Sequence, residues 1–167
     1  MAKGNATDRI VKISILEKKD SLRKYWLFII PGQSKVQNWF CKGYGHIAVL
    51  TCDEDNWYLI DPQPAKLKFS ILPFKKDSNL PIELAKFYNA KACIYLLIDS
   101  TKITRITYRW WHFFIPKFIG CVSLINYILG VKLKGMTPLG VVKHLKKLDY
   151  GKLKDPIKNI KFLNMED

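Results

Sequence analysis

Apolar residues fall in short runs separated by glycine, proline and acidic turns, the pattern of a sheet-rich chain. Residues 24–31 (KYWLFIIP) are aromatic and β-branched and end on Pro31, which predicts a strand or short buried element before a turn at 32–35. Two β-rich runs, 43–52 and 57–62, flank the polar stretch Asp53-Glu-Asp-Asn56 and predict a hairpin. Pro62 should close the second strand because it has no N–H for the ladder. A third strand is predicted at 67–72, before Pro73, and a buried one at 92–98, a continuous apolar run. Residues 103–108 alternate like a further strand after a turn at Asp99, and 8–19 read as a short basic strand or an arm.

Three stretches switch to helical spacing. Residues 81–90 carry Pro81 in the first turn with Asn79 as a cap candidate. Residues 121–129 (CVSLINYIL) follow Gly120 and stop at Gly130, and 138–148 open on Thr137-Pro138, a good cap followed by a residue suited to the first helical position. The lysine-rich remainder from 149 is expected to wrap the surface or stay partly mobile. No repeat or low-complexity linker divides the chain, so residues 1–167 read as one domain, with a core over about 38–148 between a basic N-terminal arm and the tail.

Composition narrows the classes. With 49% hydrophobic and 13% aromatic residues, the 167-residue chain can build a core and is not disordered. A net charge of +14, nearly all from lysine excess, suits attraction to polyanions: nucleic acid, an anionic membrane or acidic cell-wall polymer. It equally suits a plain lysine-covered surface. Residues 110–131 are apolar at bilayer-spanning length, but Pro116-Lys117 and Gly120 interrupt them, so an aromatic loop and a buried helix are expected rather than an integral membrane span. The N-terminus has no apolar signal region, and the four scattered cysteines suggest a reducing compartment.

Chemistry is concentrated at three residues. If the hairpin turn is centred between Asp53 and Glu54, His46 pairs directly with Asp61 on one face of the sheet, with Cβ atoms about 5 Å apart. The carboxylate would then fix the imidazole tautomer and stabilise the imidazolium. A slip of one residue would put the two on opposite faces. Cys121 begins a helix straight after Gly120, where partial positive charge favours a thiolate and exposed amides can hold an oxyanion. Taken singly, each has a blander role: a strand histidine beside a surface carboxylate, and a small buried hydrophobe at a helix start. Cys41, near His46 in sequence, ranks second as nucleophile; Cys52 and Cys93 rank lower. His112 sits in the aromatic run WWHFF and His144 in a lysine-rich helix. No spacing matches a familiar metal site and no phosphate loop is present, so no metal or cofactor is expected.

The order Tyr44-Gly-His-Ile-Ala-Val-Leu, then Trp57-Tyr-Leu-Ile-Asp-Pro, then Gly120-Cys-Val-Ser-Leu-Ile-Asn-Tyr-Ile-Leu-Gly followed by Met136-Thr-Pro-Leu resembles the circularly permuted branch of the NlpC/P60 papain-like superfamily, of the type found in small phage and bacterial proteins. The resemblance covers roughly residues 38–148. It implies an α+β fold, an antiparallel sheet packed against a nucleophile-bearing helix, with Cys121 as nucleophile, His46 as base and Asp61 as the orienting residue. It implies a cysteine hydrolase or acyl transferase acting on an amide or ester, such as a peptidoglycan peptide. Tyr44, Trp111 and His112 are the substrate-contact candidates. The expected setting is bacterial cytoplasm or a phage virion, with anionic polymer, peptide or acyl substrate as partner. The competing expectation is a catalytically silent module contacting virion proteins or nucleic acid through its basic surface.

Overall fold

The computed structural model describes residues 22–32, 42–63, 66–74, 79–103, 120–135, 137–151, 153 and 155–163. Six strands form one antiparallel sheet: β1 Leu22–Pro31, β2 Tyr44–Cys52, β3 Trp57–Gln63, β4 Lys66–Leu72, β5 Ala92–Asp99 and β6 Ile157–Leu163, in the order β4-β3-β2-β1-β5-β6. Three α-helices accompany it among the described residues: α1 Leu80–Phe87, α2 Gly120–Leu129 and α3 Pro138–Asp149. This mixed α and β architecture matches the expected class. Of the expected strand at 103–108 only Ile103 is described, and residues 104–108 and the arm at 8–19 lie outside the described set.

Alternation sorts the strand side chains onto two faces. Leu27 and Ile29 of β1, Ile47 and Val49 of β2, and Ile94, Leu96 and Ile98 of β5 pack with Val122, Ile125 and Leu129 of α2 and Val141, Val142 and Leu145 of α3. The other face pairs Phe28, Ala48, Leu50, Trp57 and Leu59 with Leu80 and Ala85 of α1. A helix layer therefore covers each face, and the central strands read as continuous apolar runs for that reason.

Two helix ends follow the sequence chemistry closely. Thr137 accepts the Gly140 N–H through its hydroxyl at 3.2 Å and Pro138 opens α3. Gly130 ends α2 at a φ of +64°, which a side chain would adopt only with strain.

One expectation is corrected here. The lysine-rich tail forms β6, pairing antiparallel with β5 from Cys93↔Leu163 to Ile98↔Ile157. Ile157 and Ile160 are buried in the α2–α3 core, and this burial anchors a segment that its lysines made look surface-bound. Lys158 and Lys102 both bind Asp155, the latter at 2.7 Å, tying the start of β6 to the chain just past β5.

Candidate active site

The β2–β3 hairpin turns over four residues. Asp53 accepts the Asp55 and Asn56 N–H groups through its side chain at 2.9 and 2.8 Å, and its own N–H donates to the Asn56 carbonyl at 3.1 Å. These contacts close a turn in which Cys52 pairs with Trp57, followed by Thr51↔Tyr58, Leu50↔Leu59 and Val49↔Ile60. The turn centre thus lies one residue later than expected, which moves each cross-strand partner by two. Continued beyond the ladder, this register sets His46 opposite Gln63 and Asp61 opposite Ala48. A shift of two keeps the face, so His46 and Asp61 remain neighbours, now on the diagonal.

They meet closely. His46 Nε2 lies 2.6 Å from Asp61 Oδ1, and Gln63 Nε2 donates to Asp61 Oδ2 at 2.9 Å. The Asp61 side chain is 8% exposed and that of His46 21%, so the carboxylate is withdrawn from water while the imidazole reaches toward it. Both Asp61 oxygens are engaged, which fixes the carboxylate plane and, through it, the ring. Nδ1 is the imidazole nitrogen that Asp61 does not use. Gln63 went unnoticed in the sequence, although its place two residues after Asp61 on the same strand face is the signal that could have found it.

The pair lies on the α1 side of the sheet. His46 is registered against Ile30, which packs with Phe28 and Leu50 in the α1-side cluster, and Asp61 follows Leu59 on that same face. Tyr88, which caps α1, belongs there too; burial and then the Asp61 charge raise its phenol above its ordinary value.

Cys121 occupies the first turn of α2 as expected and is half-buried. It packs with the α2–α3 core, on the other face from His46. The helix lies over β2 and β3, the two strands carrying His46 and Asp61, and its far end abuts Ile103 just beyond β5. The structure brings His46 and Asp61 into contact and leaves Cys121 in the opposite layer. At the start of β2 the register between β1 and β2 breaks after Ile30↔His46, and Gly45 lies so close to Gly32 that an added Cβ would come within 2.2 Å of it.

Of the other candidates, Tyr44 is partly buried against the α2–α3 core, with Lys91 Nζ 5.2 Å from its ring centre. Cys41, Trp111 and His112 lie outside the described residues. Cys93 is 1% exposed and burial pushes its thiol up to about 12, which leaves it unreactive. His144 on α3 is held below its ordinary value by burial, then by Lys134 and Lys147. Among the described residues no group of three or more His, Cys, Asp or Glu side chains is arranged to hold a metal ion, and no helix is long and apolar enough to cross a membrane.

Comparison with protein-family models, with curated proteins and with solved structures finds no match for this chain.

Proposed function

We propose that this protein is a cysteine hydrolase or acyl transferase of the permuted papain-like type, with His46 as base, Asp61 as its orienting carboxylate and Cys121 as nucleophile. The observation that carries the proposal is the contact of His46 Nε2 with the buried Asp61 carboxylate, braced by Gln63. A carboxylate in that place holds one tautomer and stabilises the imidazolium that forms when the ring accepts a proton. The proton comes to Nδ1, from the thiol at the head of α2. The thiolate attacks the carbonyl carbon of an amide or ester, and the first-turn amides of α2 hold the oxyanion. The imidazolium returns its proton to the leaving amine or alcohol as the thioester forms. Water, giving a proton to the same nitrogen, then releases the acid, and an amine or alcohol in its place makes the product of acyl transfer. The reading requires Cys121 and Nδ1 to meet, although the thiol packs on the α2–α3 side of the sheet and His46 lies on the α1 side.

A second reading draws on the separation of the two layers. In it the fold is kept without the chemistry, and the basic surface serves contact with virion proteins or nucleic acid.

Labelling with a small thiol-directed electrophile, read residue by residue by mass spectrometry, separates the two. In the hydrolase Cys121 labels faster than Cys93 by orders of magnitude, and His46→Ala slows Cys121 at least tenfold while leaving Cys52 unchanged. A Cys121 rate indifferent to His46→Ala in a folded variant supports the silent module.

A further inference from the structure

The sheet has two edges, and they are finished differently. At one edge, β6 carries Lys158 and Lys161, and its register with β5 breaks near Leu97. Such features blunt an edge against further pairing. At the other edge, β4 pairs with β3 without a break from Trp57↔Leu72 to Gln63↔Lys66. It contains no proline, and among the described residues no strand pairs with its outer side. A strand in that position presents a row of N–H and C=O groups suited to one more strand.

The side chains of β4 are sorted by face. Leu67, Phe69 and Ile71 are 52, 55 and 59% exposed and share the α2–α3 side with Ile60 and Tyr58, whose ring stacks on Phe69 at 5.8 Å. The alternate positions point to the α1 side, where Lys68 is exposed and sits in register with Asp61. An apolar stripe on one face and a cation on the other define what fits. A flat anionic membrane cannot meet both faces at once. A second copy of this chain would bring another +14 against the same edge.

We propose that β4 is a docking edge for an extended peptide in which apolar and acidic residues alternate, added antiparallel or parallel as a seventh strand. Its backbone pairs with the outer row of β4, which no described strand takes up, its apolar side chains lie on Leu67, Phe69 and Ile71, and its carboxylates face Lys68. This proposal does not rest on the hydrolase reading: it uses the outer side of β4, and its test is read by peptide affinity rather than by hydrolysis.

The test uses the full chain and a fluorescent heptapeptide, Glu-Val-Glu-Phe-Glu-Val-Glu, in a binding titration. The proposal expects saturable binding and two further results. N-methylation of one alternate set of peptide amides, the set facing β4, lowers affinity at least tenfold, whereas N-methylation of the other set has little effect. Lys68→Ala, which removes the exposed cation without setting a second carboxylate opposite Asp61, weakens the acidic peptide at least fivefold. Equal loss from both methylated sets, or no binding at all, overturns it. So does binding to phosphatidylglycerol vesicles in place of the peptide, or a dimer dispersed by Phe69→Thr in a chain that ignores the peptide.

Discussion

The two faces of the sheet bury different things. The α2–α3 face gathers eighteen buried hydrophobic residues, sixteen from four strands and two helices and two, Val131 and Leu133, from the link between the helices. The α1 face is smaller, with nine, and it is there that Asp61 lies, the buried charged residue among those described. A charge withdrawn from water costs several kcal/mol unless it is paired and hydrogen-bonded. Asp61 meets that requirement with His46 and Gln63. The larger face holds the fold, and the smaller face tolerates a polar pair because its neighbours satisfy it.

Cavity-making substitutions should separate the faces most strongly. Leu129 and Ile125 are fully buried on α2. Leu129→Ala or Ile125→Ala is expected to destabilise the protein by about 2–5 kcal/mol, the range for truncating a well-packed aliphatic side chain. Chemical denaturation monitored by tryptophan fluorescence measures this. Equal losses from truncating partly buried Leu84 on the α1 side would erase the contrast between the faces.

The next effect is smaller and tests the polar pair itself. Asp61→Ala leaves the His46 and Gln63 donors facing an apolar gap, at a cost of about 1–3 kcal/mol. Asp61→Asn keeps the shape and one acceptor and should lose less than Asp61→Ala. Both variants should slow any His46-dependent labelling of Cys121, whereas Cys121→Ala should change stability by less than either. If Asp61→Asn were as stable and as reactive as the parent, the pair would be ornamental on this face.

Much of this contrast was legible in the sequence. The hairpin, the Thr137 cap, the Gly130 stop and the His46–Asp61 association all follow from short-range rules in which a few residues decide the local geometry. The exact partner did not follow, because the Asp53 side chain captures two backbone N–H groups and lengthens the turn; the period of two in a strand protected the face even so. The face chosen by Cys121 was not legible at all. Alternation assigns strand residues to two sides but says nothing of which side a later helix will cover, a matter settled by long-range packing. Strand β6 was hidden for a related reason, since Ile157 and Ile160 sit among lysines and reveal themselves as core only once β5 is beside them.

The edge of the larger face supplies the smallest effect. Asp155 sits between Lys102 and Lys158, and hydrogen bonds from Lys102 and then Lys158 hold its carboxyl below the ordinary 3.8. A carboxyl whose folded value is depressed stabilises the fold at pH above its unfolded value, and that contribution fades as pH falls through the folded one. Because the group is fully exposed, salt screens it, and its effect should fall below those of the core and of Asp61. Asp155→Asn should therefore lower the melting temperature slightly at pH 7, by less in high salt, and not at all once the pH is well below 3.8. A deficit that persisted unchanged in acid would mean that Asp155 holds β6 by the geometry of its turn, and the lysines on either side of it would be incidental.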